Sequence, residues 1–147
     1  MQDENYSQEF GEYIKKRLSH YPIEYHDKQG ILTLIIAEKD LYNVLSFLQH
    51  DTHCRFERLE NIYVAAYESL KKKTVLRYVL QNMQKQISIL LETAVVDSVR
   101  SVTEIFKSAH WLEREIWEKH NILFEGHKDL RRLYIDINGD FFTKSNC

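Results

Sequence analysis

Chemistry in a polypeptide needs particular side chains at particular spacings, and four places in this chain hold suitable types. His50-Asp51-Thr52-His53-Cys54 sets two imidazoles three positions apart beside a thiol. A structural zinc site takes four such ligands, usually as two recurring pairs, and no second pair follows. The run therefore reads as a polar loop closing a helix. Glu113 and Glu115 offer two carboxylates for acid–base work. Two positions apart on a helix they point about 200° from one another, so they cannot share a substrate. Arg131-Arg132 would attract an anion, yet two cations give little hold on a membrane surface. Cys54 and Cys147 are too few thiols for an iron–sulfur cluster, which takes four. The sequence has no Gly-rich phosphate loop, dinucleotide fingerprint or nucleophile elbow. It shows no route to catalysis.

What stands out instead is a charge-dense stretch from Ser108 to Leu133 with no catalytic spacing. A segment of that kind reads as a surface built to meet another protein. Glu113 and Arg114 would hold a helix against the following loop or against a partner. His127, Asp129, Arg131 and Arg132 would add directional contacts, since Arg binds carboxylates in a bidentate fork. Pairing within the domain and contact with a partner are both open uses. Trp111 and Trp117 read as core or interface anchors.

The elements that must position these residues follow from periodicity. Phe10, Tyr13, Ile14 and Leu18 share a stripe and predict a short amphipathic helix over 10–18, with Lys15-Lys16-Arg17 solvated and Pro22 ending it. Gln29-Gly30 turns the chain into residues 31–37, a continuous apolar run that predicts a strand buried on both faces. Asp40 is expected to cap a helix carrying Leu41, Val44, Leu45 and Leu48. Residues 55–69 read as one or two strands and Lys71-Lys72-Lys73 as a solvated turn. Residues 74–80 and 86–91 form a hairpin around Asn82-Met83. Ser101 or Ser108 opens a last helix reaching His120, on which Glu115 and Lys119 pair at i,i+4. The sum is an α+β protein: one domain over 1–147, a mixed or antiparallel central sheet flanked by helices, and a charged C-terminal loop.

Composition bounds the function. A chain of 147 residues suits one domain with a real core. Hydrophobic content of 44% with 29% charged residues is that of a globular protein. A net charge of −2 argues against nucleic-acid binding. Two cysteines without a framework fit a reducing compartment. No apolar run approaches the about 18 residues of a membrane span. Met1-Gln2-Asp3-Glu4-Asn5 is acidic at once, unlike an Arg-rich mitochondrial presequence.

The charged stretch also resembles a known family. Ala109, Trp111, Glu113, Arg114, Glu115, Ile122, Phe124, Gly126, His127, Asp129, Leu130, Arg131 and Arg132 fall, without a gap, on A-x-W-x-E-R-E-x-x-D-x-x-G-I-x-F-x-G-H-P-D-L-R-R-I-L. That is the pattern of the 30 kDa subunit family of respiratory complex I, NADH:quinone oxidoreductase. Ser101 to Phe106 is similar to the family's S-V-T lead-in, and Asn61 to Tyr67 to a drifted D-L-T-A-V-D-Y. The likeness runs over about 30–135. Glu118 stands for the family's Asp, Lys119-His120 for an apolar pair, Asn121 for a glycine and Lys128 for a proline. Asn121 can still serve a left-handed turn, whereas Lys128 loses proline's fixed φ.

The resemblance implies a cofactor-free subunit in the hydrophilic arm of the complex. It would bind the 49 kDa protein beside the quinone site, with FMN and iron–sulfur clusters held by partner subunits. It further implies a mitochondrially encoded chain on the matrix side of the inner membrane, or a bacterial one on the cytoplasmic face. Family members continue past the R-R-I-L element, so the usual extension would be missing or supplied by another chain. Two other classes compete: a free-standing hydrolase or metal-dependent enzyme using the histidines around His50 and His53, and a stand-alone adaptor domain derived from the family.

Overall fold

The computed structural model describes residues 2–130, with side chains from residue 8 onward. Helix α1 (Gln2–Arg17) leads into a hairpin of β1 (Glu24–Lys28) and β2 (Ile31–Ile35), followed by α2 (Glu38–His50). Three long strands come next: β3 (Arg58–Glu68), β4 (Lys73–Asn82) and β5 (Ile87–Val95). Short β6 (Ser98–Arg100), α3 (Ala109–His120) and short β7 (Leu123–Glu125) complete the described chain.

The main sheet runs β1-β2-β5-β4-β3, antiparallel throughout except for the parallel β2–β5 pair. The mixed sheet with three helices is the expected α+β class. One row crosses all five strands through Tyr25, Leu34, Leu91, Tyr78 and Ile62. Leu34, Leu91, Tyr78 and Ile62 are buried. The adjoining row, His26, Thr33, Leu90, Val79 and Asn61, lies on the opposite face. Along β4 buried and half-buried positions alternate without a break. This period of two means that one face carries the helices and the core, while the other is left more open.

Several local readings change. The first helix begins at Gln2 and ends at Arg17, before Pro22 is reached. Phe10, Tyr13 and Ile14 do form its inward stripe, and Leu18, just past its end, is buried with them. Polar β1 carried no strand signal; it exists because it pairs with β2 across Gln29-Gly30, both at positive φ as a tight hairpin turn requires. Residues 31–37 are strand only to Ile35; within it Thr33 and Leu34 alone are buried, Ile36 is buried just beyond its end, and Ile31 is exposed, since helices cover a single face. Asp40 is not the cap: Ala37 takes that place and Asp40 sits in the first turn, where its charge suits the helix dipole. Leu41, Val44, Leu45 and Leu48 are all buried.

Residues 55–69 hold one strand, Arg58–Glu68, interrupted by bulges between Leu59 and Asn61 and between Val64 and Ala66. Ser108 begins α3 without capping it, because its hydroxyl donates instead to the Leu59 carbonyl at 2.7 Å. The i,i+4 ion pair on α3 is Arg114–Glu118 at 3.8 Å, and not Glu115–Lys119. The helix ends on Asn121 at φ 63°, as the replacement of a glycine by Asn anticipated. Asn121→Gly should therefore be close to neutral, whereas a β-branched Asn121→Val should cost about 1–2 kcal/mol in urea unfolding.

Candidate functional site

The motif residues part company in space. Glu113 faces inward from α3 and is completely buried. Its Oε1 accepts the Ser101 hydroxyl at 2.6 Å and its Oε2 the Val102 backbone N–H at 2.8 Å. The Ser101 oxygen also accepts the Thr103 N–H at 3.2 Å. Val102 accepts backbone bonds from Ile105 and Phe106, so this carboxylate closes the open N-terminal end of a tight turn. Burial dominates its titration and pushes the Glu113 carboxyl up to about 7, against the two donors that pull it down. Expected among the interface residues, Glu113 has no surface to offer a partner; it joins the Ser-Val-Thr segment to α3.

Trp111 and Trp117, six residues apart, take opposite roles. Trp117 is 2% exposed and belongs to the core, whereas Trp111 is 60% exposed on the outer face of α3. Arg114 and Glu115 are half-buried beside that face, with Arg114 leaning on Glu118. Phe124 is buried in β7, and Gly126 turns the chain at φ 91°, a conformation that favours glycine. Asp129 Oδ2 lies 2.8 Å from His110 Nε2, and His127 Nε2–H donates to the His110 carbonyl at 2.8 Å. His127 and Asp129 thus pair within the domain. Arg131 and Arg132 lie outside the described residues.

Sequence reasoning missed His110, which anchors that loop, and Ser101 as the partner of Glu113. It also missed Tyr42, whose hydroxyl donates to Glu104 at 2.9 Å while Arg100 stacks 3.5 Å above its ring. Nothing in periodicity marks contacts between residues so far apart in the chain. On the open face of the sheet Arg77 bonds Glu92 and the Tyr63 hydroxyl, a cross-strand network equally invisible beforehand.

The histidine–cysteine run resolves into a helix end. Asp51 accepts the Tyr13 hydroxyl at 3.0 Å and the N–H groups of His53 and Cys54. His50 Nδ1 contacts the Ser46 carbonyl at 2.8 Å. Cys54 is fully buried, and desolvation pushes its thiol up to about 12, which makes it a poor thiolate. Among the described residues no three His, Cys, Asp or Glu side chains gather to hold a metal, and no helix is long and apolar enough to cross a membrane.

These observations describe an α+β domain in which Glu113, His127 and Asp129 tie its own segments together, while Trp111 faces outward from α3. Residues 34–141 match the family described as respiratory-chain NADH dehydrogenase, 30 Kd subunit, and the chain belongs to that family. The NADH-quinone oxidoreductase C subunit of Methylobacterium radiotolerans is 37% identical over 109 residues, 73% of this chain and 51% of that protein. The mitochondrial NADH dehydrogenase [ubiquinone] iron-sulfur protein 3 of Candida albicans is 30% identical over 86% of this chain and 46% of its own length. This chain spans about half the length of these two relatives.

Among solved structures, a trypsin-resistant fragment of Nqo5 superposes with a TM-score of 0.65 at 24% identity, covering 84% of this chain and 98% of the fragment. A chain of the membrane-bound sulfane sulfur reductase, an archaeal respiratory membrane complex, superposes with a TM-score of 0.71 at 17% identity, covering 82% and 73%. Both likenesses concern the fold. The Candida protein's name mentions iron–sulfur, but the two cysteines here, one of them sealed in the core, do not fit a four-thiolate cluster.

Proposed function

We propose that this chain is a cofactor-free structural subunit of the peripheral arm of proton-translocating NADH:quinone oxidoreductase. In that reading it supports the 49 kDa partner beside the quinone site, and FMN and iron–sulfur clusters reside in other subunits. It contributes to electron transfer by assembly alone. Residues 1–147 are taken as one domain of this type. The observation that carries the reading is the family match across residues 34–141. The outward Trp111 supports it, being the large aromatic that α3 leaves exposed. Aromatic and Arg side chains are enriched at protein interfaces. On this reading the docking face comprises Trp111, Arg114 and Glu115 together with Asp129, and Arg131 and Arg132 of the motif share in the contact. A permanent interface of this kind should bury at least about 2,000 Å².

The place of work proposed is the matrix face of the mitochondrial inner membrane, with the chain encoded in the organelle. The mitochondrial label of the Candida relative favours it, and the bacterial relatives favour the cytoplasmic face of a bacterial inner membrane instead. The test is to separate solubilised native membranes on a non-denaturing gel, stain for NADH dehydrogenase activity and search the active band by mass spectrometry. One copy of this chain per complex is the expected result. Its recovery only as a small free species would reject the subunit reading in favour of the adaptor.

A further inference from the structure

The first turn of α3 and the loop after β7 are joined by a closed ring of contacts whose polarity turns on one proton. His127 Nε2–H donates to the His110 carbonyl at 2.8 Å. Its Nδ1 accepts the Asp129 backbone N–H at 3.3 Å. Asp129 Oδ2 returns to His110 Nε2 at 2.8 Å, and the two imidazoles lie 4.8 Å apart. A neutral imidazole has one N–H and one lone pair, and here one nitrogen faces an acceptor while the other faces a donor. The surroundings therefore select a single tautomer of the neutral ring. Protonation would place a hydrogen on Nδ1, pointing it at the Asp129 N–H.

We propose that His127 is a pH-operated latch: neutral, it pins residues 127–130 to α3, and protonated, it releases them while the sheet stays folded. The groups facing it are His110 and Arg114 from α3 and Asp129 from its own loop. His110 and Arg114 oppose an added positive charge on His127, and Asp129 favours it. Burial is the largest influence and holds His127 below the ordinary histidine range, against the bond to the His110 carbonyl. A depressed histidine contributes stability above its unfolded value of about 6.5, and that contribution fades as pH falls through the folded value. Release would uncover Leu130, now 2% exposed. The latch belongs to this chain alone and stands whether or not the chain docks as proposed.

The experiment uses the full chain labelled with nitrogen-15. Long-range proton–nitrogen correlation at about pH 8 should show Nε2 protonated and Nδ1 bare. Amide exchange followed down to about pH 5 should show Asp129 protection falling by up to about tenfold per pH unit below the open-state histidine value of about 6.5, and levelling off beneath the His127 midpoint. The amides of Tyr78 and Leu91 in the central sheet should keep their protection. A proton on Nδ1 at about pH 8, constant protection at Asp129, or loss at Tyr78 and Leu91 in the same step would each overturn the latch.

Discussion

Glu113→Gln should abolish a loss of stability that the native chain undergoes as pH rises from about 4.5 to about 7. The sign follows from the direction of the shift. A carboxyl raised by burial holds its proton in the folded state at pH values where the unfolded chain has released it. Its contribution is complete below the unfolded value and is lost as pH climbs through the folded one. A shift of that size is worth about 3 kcal/mol. Urea midpoints measured across this range in both proteins give the difference. Asp51 and His127, both lowered in the fold, act in the opposite sense but cancel in the comparison. Parallel curves would mean that Glu113 titrates normally.

Glu113→Ala is a harsher change. It strands the Ser101 hydroxyl and the Val102 N–H in the core, at a cost of about 2–4 kcal/mol. If the chain is the subunit proposed, that variant should lower the amount of assembled complex in cells while leaving turnover per assembled complex unchanged, because the damage lies in the chain's own folding. Normal assembly with reduced specific activity would contradict this.

The two tryptophans should separate folding from docking on one helix. Trp117→Ala empties a core position and should cost about 3–5 kcal/mol. Trp111→Ala removes a side chain that is 60% exposed and should change stability by no more than about 0.5 kcal/mol. If the outer face of α3 docks, Trp111→Ala should nonetheless reduce co-migration with the active complex severely, since exposed aromatics at interface centres carry much of the binding energy. A Trp111→Ala chain that assembles at native levels would move the docking surface elsewhere on the molecule.

Much of the architecture was legible before the structure. The α2 stripe of Leu41, Val44, Leu45 and Leu48 was readable because a 3.6-residue period and burial on one face are the same fact. The β4–β5 hairpin was readable because its apolar positions alternate between turn residues. The 101–132 motif pointed to the family that residues 34–141 match. The elements that escaped are those with no local signal. Polar β1 is ordered by its neighbour, and three-residue β6 and β7 pair in parallel across the whole of α3. Asp40 looked like a cap because its type suits the role, but the position of a helix start is set by where the preceding strand releases the chain.

The same division runs through the charged motif. By itself the sequence determined which residues are present and that no catalytic spacing links them, since spacing along a helix or strand decides what neighbours can do together. Only the tertiary structure decided that Glu113 turns inward to Ser101 and Val102, that His127 and Asp129 close on His110, and that Trp111 alone of the two tryptophans faces out. A helix presents Glu113 and Trp117, four apart, on one face and Trp111 on another whatever it packs against. Which direction becomes interior depends on the sheet and the loops that arrive from elsewhere in the chain, and burial then sets the charge, pairing and availability of each side chain.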